Sequence, residues 1–167
     1  DNLIITTASQ QALDLLPKIF VNPGDKLICG LPSYLGALQA FTNYGADMVG
    51  VPLDDKGMRA DLLDKKLAEL EAKGERAKFI YVIPDFQNPA GVTMPESRRK
   101  EIIAVAQKYD TLIIEDSPYR EIRFAGTAQP TIYELADEGR VVLLGTFSKT
   151  FAPGFRIGWI IADPTIV

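Results

Sequence analysis

Residues 140–159 read RVVLLGTFSKTFAPGFRIGW, an apolar strand pattern followed by a loop that contains Gly and Pro and leads into a second strand pattern. The loop carries a single lysine, Lys149, between Ser148 and Thr150. A lysine side chain normally reaches for water, yet this one closely follows a run that is typical of a buried strand. Lys149 is therefore the first candidate functional residue.

Apolar runs of the same kind alternate with helical patterns along the rest of the chain. The predicted strands cover residues 26–29, 48–51, 79–83, 111–114, 140–144 and 158–161. The predicted helices cover residues 10–21, 35–44, 60–73 and 96–109. This alternation predicts an α/β fold, a three-layer α/β/α sandwich with a mostly parallel sheet. Since the chain has 167 residues and no repeat or linker, we expect one domain over residues 1–167.

The composition narrows the classes of function. A net charge of -4 provides no electrostatic footprint for nucleic acid. No apolar stretch approaches the roughly 20 residues that span a bilayer, and the first residues lack the pattern of a secretion signal. Cys29 is a lone cysteine and cannot form an internal disulfide. We therefore expect a cytoplasmic protein with no nucleic-acid or membrane partner.

The chain contains no histidine. This removes the serine and cysteine nucleophile systems that depend on histidine, and histidine-based zinc sites, unless another segment or subunit supplies the residue. We expect no metal site. Proton transfer must then use Lys, Tyr, Asp or Glu, which strengthens the case for Lys149.

Polar and aromatic residues follow four of the predicted strands, in the stretches GLPSYLG (30–36), PDFQNPAG (84–91), EDSPY (115–119) and GTFSK (145–149). In open α/β sheets, ligands bind outside the carboxyl ends of the strands. The four stretches therefore predict one crevice. The notable residues in them are Tyr34, Asn88, Asp116, Tyr119 and Lys149.

Each of these residues also has an ordinary structural interpretation. Asn88 lies in an Asn-Pro turn dipeptide, and Tyr34 and Tyr119 are aromatics of the kind that usually pack in a core. Glu115 and Asp116 point to opposite faces of a strand, which leaves one to face solvent while the other faces the crevice. A carboxylate in the crevice could hold a cation or a protonated ring nitrogen.

An anion site is predicted near the amino end, where Ser9 and Gln10 precede an apolar helical pattern. Ser9 is expected as the N-cap, and a helix start with free N–H groups binds anions such as phosphate. Arg156 could supply a charged partner. Residues 145–150 fail the P-loop pattern because Ser148 stands where a glycine is required, and no G-x-G-x-x-G follows any strand. The phosphate would therefore belong to a molecule smaller than a dinucleotide.

A small phosphorylated cofactor with an aldehyde for a lysine and a basic ring nitrogen for a carboxylate is pyridoxal 5'-phosphate. The chain resembles the large, cofactor-binding domain of fold-type I pyridoxal-phosphate aminotransferases. The stretches SQQALDL (9–15), FQNPAG (86–91) and GTFSKTFAPGFRIG (145–158) look most like the 2-aminoadipate and broad-specificity subgroup. The resemblance implies an internal fragment that lacks the amino-terminal arm and the carboxyl-terminal small domain.

The resemblance also implies residue roles. Lys149 matches the lysine that forms a Schiff base with the cofactor and shuttles the substrate proton, which calls for a desolvated site that favours the neutral amine. Asp116 matches the partner of the ring nitrogen. The remaining matches are Asn88 and Tyr119 for the ring hydroxyl, Tyr34 for stacking, and Ala8, Ser9, Gln10, Thr146, Ser148 and Arg156 for the phosphate. Ala8 departs from the glycine usual at its position, so its methyl group could crowd the phosphate.

The reaction implied is transamination between an amino acid and a 2-oxo acid in a homodimer. Three alternatives stay open: a ligand-sensing domain of a winged-helix transcription regulator, a pyridoxal-phosphate-dependent lyase or synthase, and a doubly wound domain without cofactor.

Overall fold

The computed structural model describes residues 2–136 and 139–167, and Asp1, Asp137 and Glu138 lie outside this part of the chain. In the described residues the chain forms eight strands and five α-helices. The strands are β1 (Leu3–Thr7), β2 (Lys26–Leu31), β3 (Asp47–Asp54), β4 (Gly57–Met58), β5 (Ala77–Val82), β6 (Leu112–Asp116), β7 (Val141–Thr146) and β8 (Ile157–Ile161). The helices are α1 (Ala8–Phe20), α2 (Leu35–Asn43), α3 (Ala60–Glu71), α4 (Glu96–Lys108) and α5 (Ile132–Leu135), with a 3-10 turn at Pro153–Phe155.

The strands form one sheet in the order β1-β8-β7-β6-β5-β2-β3-β4. Its five central strands, from β7 to β3, run parallel. Strands β8, β1 and β4 are antiparallel to their neighbours. The prediction of a mostly parallel sheet is thus confirmed, and the carboxyl ends of the parallel strands share one edge.

Strand alternation divides the apolar core into two layers, because successive side chains of a strand point to opposite faces. Helices α1 and α2 pack on the face that carries Phe79, Tyr81 and Ile114. Helices α3, α4 and α5 pack on the face that carries Ile80 and Ile113. The predicted three-layer α/β/α sandwich is confirmed.

All six predicted strands and four predicted helices are present, and their ends lie within three residues of the predicted ones. The prediction omitted β1, β4 and α5. Strand β1 was not predicted because four of its five residues are exposed, so its sequence shows no alternation between core and solvent. No described helix combines the length and the apolar character that crossing a bilayer requires.

Two local predictions were wrong. Ser9 is not the N-cap of α1: the cap position is Thr7, the helix begins at Ala8, and no side chain caps this end. Glu115 does not face solvent, since both Glu115 and Asp116 are buried. Both side chains are therefore shielded from bulk solvent, Glu115 by the helices on its face and Asp116 at the bottom of a cavity.

Arg99 on α4 explains how Glu115 is accommodated on its face of the sheet. The guanidinium is fully buried, 3.0 Å from Asp85 Oδ1 and 4.0 Å from Glu115 Oε1. It also donates to the carbonyl oxygens of Met94 at 2.9 Å and Pro130 at 3.0 Å. Burial raises the pKa of Glu115 to about 7, although the Tyr133 N–H and the Arg99 charge act to lower it.

The substitution Arg99→Met should destabilise the protein by about 3–5 kcal/mol, because it removes the cation beside Glu115 and one of the two cations beside Asp85, which keeps Arg123. Chemical denaturation of the full-length protein measures this loss. The matched control is Arg76→Met at an exposed position, which should change the free energy of unfolding by less than about 0.5 kcal/mol. Equal effects of the two substitutions would contradict a structural role for the Arg99 cluster.

Candidate functional site

A cavity of about 300 Å³ lies at the carboxyl edge of the parallel strands. All eleven predicted site residues line it, together with Ile83 and Pro118. They are Ala8, Ser9, Gln10, Tyr34, Asn88, Asp116, Tyr119, Thr146, Ser148, Lys149 and Arg156. The four strand-end stretches therefore do meet in one crevice, as their sequence positions predicted.

Asp116 is the last residue of β6 and lies on the sheet face shared with α1 and α2. Its Oδ2 accepts a hydrogen bond from the Tyr81 hydroxyl at 2.7 Å. Its Oδ1 is buried and has no hydrogen-bond partner within the described residues. Burial raises the pKa of Asp116 to about 6, against the lowering effect of the Tyr81 hydrogen bond. A ligand that donates a hydrogen bond or carries positive charge would satisfy Oδ1.

Asn88 and Tyr119 stand together beside Asp116. Asn88 Nδ2 donates to the Tyr119 hydroxyl oxygen at 3.3 Å. The loop that carries Asn88 is held by Gln87, whose Nε2 donates to Pro32 O at 3.0 Å and whose Oε1 accepts from Ala90 N at 2.7 Å. The contact with Pro32 links the Asn88 loop to the Tyr34 loop.

Tyr34 is half-buried and lies against the backbone of Gly36. A Cβ atom at Gly36 would lie 2.5 Å from the Tyr34 hydroxyl oxygen, so the glycine makes room for the ring. The Tyr34 hydroxyl donates to Gln10 Oε1 at 3.3 Å, and Gln10 Nε2 donates to Gly36 O at 3.1 Å. Gln10 therefore connects the start of α1 to the aromatic residue.

The amino end of α1 packs directly on strand β8. A Cβ atom at Gly158 would lie 2.5 Å from the Ala8 carbonyl carbon and 2.7 Å from Ser9 N. Ala8 N donates to Arg156 O at 3.1 Å. Gly158 thus allows the helix start, with the N–H groups of its first turn, to approach the segment that carries Arg156.

Ala8 is buried and adopts a positive φ of 55°. A glycine would adopt this left-handed conformation without the steric cost that alanine incurs. The backbone of this chain thus accommodates alanine at the position where the family usually has glycine.

Residues 146–156 complete the anion-binding end of the cavity. Ser148 Oγ accepts from Arg156 Nη1 at 3.3 Å and lies 3.0 Å from Thr146 Oγ1. Thr146 Oγ1 is also 3.0 Å from Ile157 O and accepts from Ser148 N at 3.1 Å. Thr146 is buried and holds the loop, whereas Ser148 and Arg156 present their polar groups to the cavity.

Lys149 lies at the cavity but its side chain is exposed. The expectation of a desolvated lysine is therefore wrong for this part of the protein. The reason is geometric: Lys149 lies in the turns that follow β7, and the described elements cover only one side of that segment.

Tyr81, which contacts the site through Asp116, was not among the residues predicted from the sequence. A tyrosine within the apolar run 79–83 is an available signal, because alternation places it on the same face as Phe79. The partner of its hydroxyl could not be inferred, since Tyr81 and Asp116 are 35 residues apart and meet only when β5 pairs with β6.

The arrangement fits a small, flat ligand with a protonated nitrogen at one end and an anionic group at the other. The unpartnered Asp116 Oδ1 suits the nitrogen, and the helix start with Ser9, Ser148 and Arg156 suits the anion. Pyridoxal 5'-phosphate has both groups and an aldehyde for Lys149. The described residues include no group of three or more side chains placed to bind a metal ion.

Comparison with known proteins agrees with this geometry. The family model described as aminotransferase class I and II matches residues 1–167. Aromatic-amino-acid aminotransferase 1 of Thermococcus litoralis is 53% identical over 166 residues, covering 99% of this chain and 40% of the relative.

Two solved structures share the fold. Kynurenine aminotransferase of Pyrococcus horikoshii, in complex with PMP, has a TM-score of 0.96 and 51% identity, over 98% of this chain and 41% of that one. The alpha-aminoadipate aminotransferase of Thermus thermophilus, complexed with N-(5'-phosphopyridoxyl)-L-leucine, has a TM-score of 0.91 and 38% identity, over 99% and 42%. The chain thus spans about two fifths of the length of these relatives, and the resemblance to the 2-aminoadipate subgroup is confirmed.

The burial of Asp116 should make the stability of the ligand-free, full-length protein depend on pH. Its folded-state pKa of about 6 lies above the ordinary aspartate value of 3.8, so the folded state binds the proton more tightly. The resulting cost is small at pH 4, develops mainly between pH 4 and pH 6, and levels off above pH 6 at up to about 3 kcal/mol.

The substitution Asp116→Asn removes the titrating group, so the stability of the variant relative to wild type should rise between pH 4 and pH 8. Urea unfolding at each pH measures this difference. The control Asp55→Asn, at an exposed turn position, should give a difference that does not change with pH. A flat difference for Asp116→Asn would contradict the burial argument.

Proposed function

The chain belongs to the aminotransferase class I and II family, and from this premise we propose that it forms the cofactor-binding part of a pyridoxal 5'-phosphate-dependent aminotransferase. The whole protein would move an amino group between an amino acid and a 2-oxo acid. The observation that carries the proposal is the buried Asp116 Oδ1, which has no hydrogen-bond partner among the described residues, in a cavity that Lys149 and the predicted phosphate-binding residues also line.

Different residues of the cavity would hold different parts of the cofactor. Asp116 accepts from the ring nitrogen and, as an anion, keeps a proton on it. Ser9, Ser148 and Arg156 bind the phosphate, with Thr146 supporting Ser148. Asn88 and Tyr119 donate to the ring oxygen, and Tyr34 packs against the ring.

Lys149 is the group that joins the cofactor covalently and handles the proton. When bound, pyridoxal 5'-phosphate supplies a protonated ring that withdraws electrons and stabilises negative charge at the substrate α-carbon. Lys149 would bind the cofactor covalently, and its Nζ, as a free amine, would accept the proton from the substrate α-carbon. In a chain without histidine, an amine at the cavity is suited to this role.

The substitution Lys149→Ala in the full-length protein should abolish transamination, because it removes both the covalent attachment and the base. Product analysis with 2-oxoglutarate as acceptor and an aromatic amino acid, kynurenine or 2-aminoadipate as donor measures the loss. The visible absorbance of the covalently bound cofactor should vanish in the same variant.

The control Lys73→Ala changes an exposed lysine just after the end of α3 and should leave both readouts unchanged. Release of ammonia instead of a new amino acid would identify a lyase. Cofactor binding without any turnover of these donors would favour a ligand-sensing domain. Full turnover by Lys149→Ala would refute the proposal.

We also propose that the whole protein is a homodimer whose interface lies beside this cavity. Large apolar side chains are exposed on the segments that line it: Phe151 and Phe155 stack with ring centroids 5.5 Å apart, between Lys149 and Arg156. Leu31 and Leu35 are exposed on either side of Tyr34. Large apolar side chains that are exposed around a site in this way commonly mark a protein interface.

Sedimentation of the full-length protein should show a dimer, and Phe151→Asp should weaken it by placing a charge in the apolar contact. The control Ile19→Asp changes another exposed apolar residue, which does not line the cavity, and should leave the dimer intact. A wild-type protein that sediments as a monomer would overturn this proposal without affecting the chemistry proposed for Lys149.

A further inference from the structure

We propose that Tyr81 is a positioning residue for Asp116: its hydroxyl holds one carboxylate oxygen from inside the fold so that the other is presented to the cofactor. This inference rests on the proposed function, since it concerns the same cavity. Tyr81 itself does not line that cavity and acts only through Asp116.

The position of the Tyr81 hydroxyl is set by the packing of its ring. Tyr81 lies on β5, paired with Ile114 of β6, and is fully buried. Its ring meets the ring of Phe41 on α2 edge to face, with centroids 5.3 Å apart and planes at 81°. Phe41 makes a second edge contact with Phe79, at 5.2 Å. The aromatic cluster leaves the hydroxyl directed at Asp116 Oδ2.

The hydrogen bond leaves Asp116 with one satisfied oxygen and one free oxygen. The Tyr81 hydroxyl lies 2.7 Å from Oδ2, and Oδ1 is buried without a partner in the described residues. A carboxylate that was free at both oxygens could rotate about its Cβ–Cγ bond. The tyrosine therefore restricts the carboxylate to one orientation, in which Oδ1 is the oxygen available to a ligand.

Tyr81 acts as a permanent donor in this pair. Burial, and then the charge and hydrogen bond of Asp116, raise the pKa of Tyr81 well above its usual value, so its proton stays on the phenol. The other titratable groups that line the cavity with Asp116 are Tyr34, Tyr119, Lys149 and Arg156. Glu115 lies on the opposite face with Arg99.

The test is Tyr81→Phe in the full-length apoprotein, which removes the hydroxyl and keeps the ring. Calorimetric titration with pyridoxal 5'-phosphate should show an affinity about tenfold or more below wild type, as expected for loss of a hydrogen bond to a charged group. The decline of affinity at low pH should also begin at a higher pH, because Asp116 loses the donor that stabilises its charged form.

The matched control is Tyr109→Phe, which removes a hydroxyl that donates to Asp64 O at 3.2 Å outside the cavity. Its affinity and pH profile should equal those of wild type. Thermal unfolding of each apoprotein reports the loss of stability that a purely structural role would produce. Only the pH profile of cofactor binding separates that role from positioning.

A double-mutant cycle with Asp116→Asn completes the experiment. If Tyr81 acts through Asp116, then Tyr81→Phe should cause little further loss of affinity in the Asp116→Asn background. Independent, additive losses, or an unchanged affinity and pH profile in Tyr81→Phe, would overturn the inference. Wild-type apoprotein that binds no pyridoxal 5'-phosphate would instead overturn the proposed function, and this inference with it.

Discussion

The structure depends on holding a carboxyl group, Asp116, inside the fold at the end of a central strand. Water cannot solvate it there, so each of its oxygens needs a partner supplied by the protein or by a ligand. Tyr81 supplies one, and the other is left for the cavity. A buried acceptor with no protein partner raises the free energy of the ligand-free state, and a cation or donor that enters the cavity relieves it.

Successive side chains of a β-strand point to opposite faces, and this separates the Asp116 site from a second set of buried charges across the sheet. Glu115 and Asp116 are adjacent in sequence but point to opposite faces of β6. Glu115 faces α4, where Arg99 joins it to Asp85 and to loop carbonyl oxygens. Asp116 faces the aromatic cluster of β5 and α2. On one face, the Arg99 cluster therefore connects the loops behind the sheet. On the other face, Asp116 offers an acceptor to the cavity.

The end of the cavity proposed to bind the phosphate depends on a close approach of backbone to backbone. Gly158 lets the first residues of α1 rest on β8, and Ala8 accepts a left-handed conformation to make the turn from β1. The edge strand β1 and its neighbour β8 therefore do more than extend the sheet, since they bring the helix start to Ser148 and Arg156. The opposite side of the loop stays open, which is why Lys149 and Arg156 are exposed.

The sequence alone determined the layer architecture, the parallel central strands and the meeting of the strand-end residues at one edge, whereas Ala8, Thr146 and Ser148 were matched to the site only through the family resemblance. Apolar periodicity and the position of polar residues at strand ends are local signals, and parallel strands bring their carboxyl ends together whatever the details of packing. Tertiary structure alone decided the partner of Asp116, the burial of Glu115 against Arg99, the cap position of α1 and the exposure of Lys149. These depend on pairing between strands and on helices packed across the sheet, so residues far apart in the chain set the environment of each group.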